Sequence, residues 1–302
     1  MDYKQSDVKC FIENFRFFNE KILAESVKRA YISVGSHLFI NFGEEIESKF
    51  PNGQPCKDSQ WTIWLGGSVG WRLSQKDKYI TDSSDTYEEM NAKVQQLLGK
   101  KFLTSRILSQ FMDIQFDFED GYHLTCFLKT ILRQQWVLFC SNDNTVGLES
   151  ETKPQVQQIV GLSKHFDIVN PFQLINLPID KKTVLGFSLE EASLYLDFED
   201  DLSLYLECCA WRIEKNGIYC IGSVDQFNHT INEDASKYLK EIKGKKLLKS
   251  SVIQPFQDAK FEFENDYVIK TFSCYKNPTP WRILKDNQKK VYSANVSSLS
   301  KV

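Results

Sequence analysis

One feature limits what this chain can fold into more than any other: it carries the same stretch twice. Residues 99–139, GKKFLTSRILSQFMDIQFDFEDGYHLTCFLKTILRQQWVLF, align without a gap on 244–284, GKKLLKSSVIQPFQDAKFEFENDYVIKTFSCYKNPTPWRIL. Thirteen of the 41 positions are identical, among them Phe111/Phe256, Asp113/Asp258, Phe116/Phe261, Phe118/Phe263, Glu119/Glu264, Tyr122/Tyr267 and Trp136/Trp281. Aromatic residues held in register over such a length point to an internal duplication, so whatever one half builds, the other is expected to build again.

The repeated unit reads as antiparallel sheet. Ile114, Phe116 and Phe118 alternate with Asp113, Gln115, Asp117 and Glu119, and Tyr122, Leu124 and Cys126 resume the period of two after Asp120-Gly121. Alternation on both sides of an Asp-Gly pair predicts a hairpin with one buried and one wet face. Asn265-Asp266 takes that turn in the second half. A fainter copy precedes each strong one. DKKTVLGFSLEEASLYLDFEDDLSLYLECCAWRI (180–213) has strand, F-E-D turn, strand and Trp-Arg-Ile. VKRAYISVGSHLFINFGE (27–44), an insertion around residues 51–58, and QWTIWLGGSVGWRL (60–73) form its counterpart. Trp71-Arg72-Leu73 matches Trp211-Arg212-Ile213, and Tyr79, Ser83 and Asp85 match Tyr219, Ser223 and Asp225 at the same spacing. Four related meanders result, each ended by a tryptophan (Trp71, Trp136, Trp211, Trp281) expected to plug a core.

Helices are fewer. Val8, Phe11, Ile12, Phe15, Phe18 and Ile22 recur at helical spacing over 6–24. A second helix is expected from Asp85-Thr86 to Leu98, stopped by Gly99, and its counterpart from Glu233 to Ile242, stopped by Gly244. The polar stretch 141–155 marks the boundary, and residues 291–302 are expected to fray. The fold class expected is α+β: antiparallel β-meanders with a few helices in two pseudo-symmetric halves, 1–145 and 146–302.

Bulk properties remove whole classes of function. A net charge of −3 gives no general reason to bind nucleic acid or an anionic membrane. No window approaches 18 uninterrupted apolar residues, and MDYKQSDVKCFIENF lacks the apolar run of a signal peptide, so a cytoplasmic protein is expected. In that compartment the eight cysteines read as reduced thiols; no C-x-x-C occurs, and Cys208-Cys209 point to opposite strand faces.

No stretch carries a catalytic, metal-binding or cofactor signature, so none is expected. His37, His123, His165 and His229 share no spacing, and His123 falls on the wet face of its hairpin. The carboxylates Asp113, Asp117, Glu119, Asp120, Glu262, Glu264 and Asp266 read as a solvated strand face with turn residues, while Asp113 and Asp258, each after an F-x-D step, are placed to cap a turn. Gly-Lys-Lys at 99–101 and 244–246 lacks the phosphate-loop frame and reads as a helix C-cap. The segment LGGSVGW (65–71), with Gly66 and Gly67, reads as a tight bend. Binding is favoured by Trp61 and Trp64 in QWTIWLGG, which point to opposite faces of one strand and so offer one exposed tryptophan beside a glycine turn. The candidate binding residues are Trp61, Trp64, Gly66, Gly67, Asp113 and Asp258.

The unit F-x-D-x-x-F-x-F-E-D-G-x-x-L-x-x-F followed by W-x-L, carried by Phe111–Phe127 with Trp136 and again by Phe256–Phe272 with Trp281, resembles small single-meander bacterial proteins found beside toxin–immunity or defence genes. That resemblance implies a non-catalytic interaction protein of a bacterial cytosol, of immunity, inhibitor or defence-accessory type, with another protein as partner. The alternative is a small-molecule or nucleotide sensor with a pocket between the halves.

Overall fold

A computed structural model describes residues 5–49, 54–66, 69–76, 78–109, 113–127, 136–140, 147–149, 172–190, 193–207, 209–223, 229–253, 256, 258–273, 281–285, 289–295 and 298–301. The chain divides into two compact units; the described residues up to Glu149 fall in the first and those from Phe172 in the second.

Unit 1 contains α1 (Gln5–Ile22), β1 (Val27–Ser33), β2 (His37–Lys49), β3 (Pro55–Leu65), β4 (Gly70–Gln75), β5 (Lys78–Asp82), α2 (Tyr87–Val94), β6 (Phe102–Ile107), β7 (Ile114–Phe118), β8 (Tyr122–Phe127), β9 (Trp136–Cys140) and β10 (Gly147–Glu149). Two antiparallel five-stranded sheets, ordered β1-β2-β3-β9-β10 and β5-β4-β8-β7-β6, enclose one core. Each meander is therefore split between layers. Strands β1–β3 stay in the first sheet while β4, with Trp71, crosses to the second; β6–β8 stay in the second while β9, with Trp136, crosses back. Both tryptophans are fully buried. Helix α1 lies against β6 and β10, and α2 against β1 and β5, so a helix closes each open side of the sandwich. Phe15, Phe18 and Ile22 of α1 and Met90 and Val94 of α2 reach the core from those sides.

Unit 2 contains β11 (Gln173–Ile175), β12 (Val184–Glu190), β13 (Ser193–Phe198), β14 (Leu202–Leu206), β15 (Cys209–Lys215), β16 (Ile218–Gly222), α3 (His229–Ile242), β17 (Leu247–Ile253), β18 (Asp258–Phe263), β19 (Tyr267–Ser273), β20 (Trp281–Lys285), β21 (Lys289–Asn295) and β22 (Ser298–Lys301). Its sheets run β12-β13-β14-β20-β21-β22 and β11-β17-β18-β19-β15-β16, so strands β12–β21 occur in the order of β1–β10, with β11 and β22 added. The core rows agree in register. Leu38, Leu65 and Trp136 stand side by side in unit 1, as Leu194, Leu206 and Trp281 do in unit 2. Ile40, Ile63 and Leu138 likewise match Leu196, Leu204 and Ile283.

Local chemistry explains why the meanders close alike. In three of them the turn between second and third strands is F-E-D or F-E-N: the Glu carboxylate accepts the N–H of the residue leading into the first strand, Glu119 from Lys101 (3.2 Å), Glu199 from Thr183 (3.0 Å) and Glu264 from Lys246 (3.1 Å). The turns need positive φ at two successive residues, supplied by Asp120-Gly121, Asp200-Asp201 and Asn265-Asp266; Asp and Asn tolerate that region better than other non-glycine residues. Gly99 (φ 74°) and Gly244 (φ 83°) end their helical segments, and each donates its N–H to a first-strand valine, Val27 or Val184. The Gly-Lys-Lys segments thus tie helix to sheet. A bulge follows the first paired residue of every meander, leaving Leu103, Leu185 and Leu248 outside behind buried Phe102, Val184 and Leu247.

Three details differ from the expectations. Strand β10, beyond residue 145, pairs with β9 and completes the first sheet of unit 1. The C-terminal stretch expected to fray forms β21 and β22, whose backbone pairing extends a sheet edge although Ser, Lys and Asn dominate its sequence. Helix α3 also begins earlier than expected, at His229.

Candidate functional site

Strand β3 sorts its two tryptophans cleanly. Trp61 points inward, 7% exposed, with edge-on contacts to Phe17 and Phe18 of α1. Trp64 points outward and is half-buried. Gly66 is buried and accepts the Val69 N–H at 3.0 Å, closing the expected bend; Gly67 lies outside the described residues. Of the pair, Trp64 alone serves a surface.

Trp64 belongs to a row that reasoning from the sequence did not assemble. Across the outer face of the first sheet, Tyr31 of β1 pairs with Phe39 of β2, Phe39 with Trp64, and Trp64 with Val137 of β9. Tyr31 and Phe39 stack with ring centroids 5.1 Å apart and planes 5° from parallel, and Phe39 lies 6.4 Å from Trp64. The Trp64 indole N–H donates to Nδ1 of His37 at 3.1 Å. Because indole nitrogen only donates, that ring nitrogen must be unprotonated. Three half-buried aromatic rings on adjacent strands form a continuous, rigid apolar strip.

The next row on the same face is polar. Arg29 stands beside Asn41, and Asn41 beside Thr62. Asn41 Nδ2 donates to Thr62 Oγ1 at 2.9 Å, and both residues are buried. Asn41 Oδ1 and Arg29 Nε are buried without a hydrogen-bond partner among the described residues.

Beyond this row the β2–β3 hairpin leaves the sheet. Pairing of β2 with β1 ends at Phe42, and that of β3 with β9 ends at Trp61, yet β2 and β3 pair with each other out to Lys49 and Pro55. Of the insertion expected around residues 51–58, residues 51–53 lie outside the described residues, and residues 55–58 are part of a projecting two-stranded arm. A bulge at its base requires Gly43: φ is +74°, and a Cβ there would meet Gln60 Oε1 at 2.7 Å. Glu44, Glu45 and Glu47 are exposed along the arm. Glu45 pairs with Lys57 at 3.0 Å, which holds its carboxyl below the usual range. Arg29 links arm to row by donating to Ser59 Oγ at 3.1 Å. Burial is the main cause of the raised Tyr31 pKa, to which Asp58 adds while Arg29 opposes.

Elsewhere the titratable groups are engaged in structure. Asp117, expected on a wet face, is 7% exposed and takes bonds from Arg106 (2.7 Å), Gln115 (2.6 Å) and the His123 ring (2.6 Å). Burial pushes its pKa up, but these bonds and the guanidinium charge outweigh it and hold the carboxyl low. Ser74, His123 and Asp117 share one row across β4, β8 and β7. Buried Ser74 donates to the His123 carbonyl at 3.4 Å, however, so the row presents no nucleophile to a substrate. Asp113 accepts from Ser109 Oγ at 2.7 Å and Asp258 from the Ser273 N–H at 2.7 Å; both are buried and brace strand ends, and neither belongs to the sheet that carries Trp64.

At the entry to α2, Tyr79 Oη lies 2.9 Å from Asp82 and 3.1 Å from Asp85, and Lys93 pairs with Asp85 at 3.0 Å. Burial above all raises the Asp82 pKa to about 6, with hydrogen bonds from Ser84 and Tyr79 opposing. Burial likewise pushes the Cys126 thiol well up and that of Cys220 up to about 12, as suits unreactive thiols. Among the described residues, no helix is long and apolar enough to cross a membrane, and no group of three His, Cys, Asp or Glu could hold a metal ion.

No family model, curated protein or solved structure matches the chain.

Proposed function

We propose that the chain is a non-catalytic interaction protein, built by duplication of one sandwich, whose contact surface is the outer face of the first sheet of unit 1. The observation that carries this reading is the Tyr31–Phe39–Trp64 strip, three aromatic rings on a rigid sheet with part of each in solvent. Trp and Tyr dominate the energetics of protein contacts because they combine a large apolar area with few rotatable bonds. The buried states of Asp113, Asp117 and Ser74 favour this reading over an enzyme. A partner of the kind held by immunity or defence-accessory proteins fits it, in a bacterial cytosol.

Recovery of partner from cells that express the full chain tests the reading. Trp64→Ala should lose a partner that wild type retains, while Tyr205→Ala, at the same register of unit 2, should keep it. Equal recovery by both variants would remove the face from consideration.

A further inference from the structure

The aromatic strip ends against the acidic arm, and the two meet at Arg29. Its guanidinium reaches Ser59 on the arm, its Cα neighbour across the strands is Asn41, and Tyr31 follows two residues along the same strand. Both Tyr31 and Glu45 feel its charge, and Tyr31 also feels Asp58. Arg29 thus links strip and arm.

We infer that this surface binds an extended, arginine- or lysine-rich segment of a partner protein, resting on the proposed interaction face and naming the chemistry of its occupant. Three observations converge on that class. The arm segment 43–60 has four acidic residues, Glu44, Glu45, Glu47 and Asp58, against Lys49 and Lys57, a net charge of −2. One of those lysines, Lys57, is already held by Glu45. Glu44 and Glu47 stand exposed. Next, Asn41 is 2% exposed, lies in the outer row between Arg29 and Thr62, and has no donor on its Oδ1 among the described residues. A buried carbonyl oxygen without a donor calls for an N–H, which a guanidinium or ammonium supplies in quantity. Finally, the faces of Phe39 and Trp64 attract cations through their ring quadrupoles. A phosphate backbone would meet the same carboxylates as repulsion, which disfavours nucleic acid on this aromatic platform.

The arm also supplies a backbone template. Past Phe42 and Trp61, among the described residues, its strands pair only with each other, so their outer edges present N–H and C=O groups to an incoming strand. The extended segment adds along the β2 edge, where Glu44 and Glu47 lie, and reaches the rings with its next residues.

Fluorescence anisotropy with the full chain tests this. The probes are a labelled peptide of alternating Arg and Val, its Glu/Val counterpart and a short polyuridine. Arg/Val should bind about tenfold or more tightly than Glu/Val, and weaken as salt rises. Glu44→Gln with Glu47→Gln should lose most of that preference by weakening Arg/Val, and Trp64→Ala should lower affinity for it about tenfold, with Tyr205→Ala unchanged. No Arg/Val binding, equal binding of both peptides, a preference for polyuridine, or Arg/Val binding indifferent to Trp64 would each overturn the inference. If Trp64→Ala still loses a cellular partner while the peptides show no charge preference, the occupant is wrong and the interaction face stands.

Discussion

The outer faces of the first sheets in units 1 and 2 share a register and differ in what they leave undone. Ser188, Tyr195, Tyr205 and Arg282 occupy in unit 2 the row of Tyr31, Phe39, Trp64 and Val137. In unit 2 the side chains of the row pack and pair among themselves, although Arg282 Nε has no hydrogen-bond partner among the described residues. Tyr195 and Tyr205 pack edge to face at 4.9 Å, Arg282 lies over Tyr205 at 5.2 Å, and Glu207 takes bonds from both Arg282 (2.7 Å) and the Tyr195 hydroxyl (3.1 Å). In unit 1 Val137 stands where Arg282 does and Gly66 where Glu207 does, and the polar row beside the rings keeps Asn41 Oδ1 and Arg29 Nε without a partner among the described residues. The adjoining hairpin differs the same way: a tight turn at Asp200-Asp201 in unit 2, a thirteen-residue β2 running into an arm in unit 1. The two units thus match in the rows of their cores and differ in this outer face and its hairpin.

The largest effect should be one the units share. Trp136→Ala and Trp281→Ala each remove a fully buried indole from matching core rows and should each cost about 3–5 kcal/mol. Chemical denaturation of the two variants checks this; a near-wild-type midpoint for one alone would break the equivalence of the cores.

A pH effect should separate the units. Gly222 of β16 stands at the place of Asp82 at the end of β5, so only unit 1 carries this carboxyl. Burial raises its pKa from 3.8 to about 6. The folded state then holds the proton more tightly than the unfolded one: the stabilisation is present below about pH 4, lost as pH rises through about 6, and absent above. Asp82→Asn should therefore stabilise unit 1 by about 2–3 kcal/mol at about pH 8 and by little at about pH 4, read from denaturation midpoints. A destabilised variant at the higher pH would show that the carboxylate is ionised and well held.

A smaller effect should mark the outward side of β3. Half-buried Trp64→Ala should cost about 1 kcal/mol, against about 3 kcal/mol or more for Trp61→Ala three residues away. Equal losses would mean that the strip is part of a core.

Much of the fold was legible because its signals are local. Asp120-Gly121 between alternating strands marked a hairpin, Gly99 and Gly244 marked helix ends, and the four tryptophans marked core positions. What escaped was set by distant pairing. Nothing in residues 128–140 announces that β9 leaves its own meander to lie beside β3, so the two-layer exchange was invisible. Alternation put Trp61 and Trp64 on opposite faces but could not say which face was the core; α1, through Phe17 and Phe18, decides it. The arm hid because Glu44-Glu45-Ile46-Glu47 offers a single apolar residue and no periodic pattern. Asp117 read as wet since Arg106 and His123, its partners, sit on neighbouring strands.

The most direct test of one open face and one closed is photo-crosslinking from matched positions. A benzoylphenylalanine placed at Phe39 of unit 1 and, in a second variant, at Tyr195 of unit 2 probes the same register of the same scaffold. In cells expressing the full chain, Phe39 should capture a discrete partner that Trp64→Ala abolishes, and Tyr195 should capture none. Capture from Tyr195 with none from Phe39, or equal capture from both, would contradict the assignment of binding to unit 1.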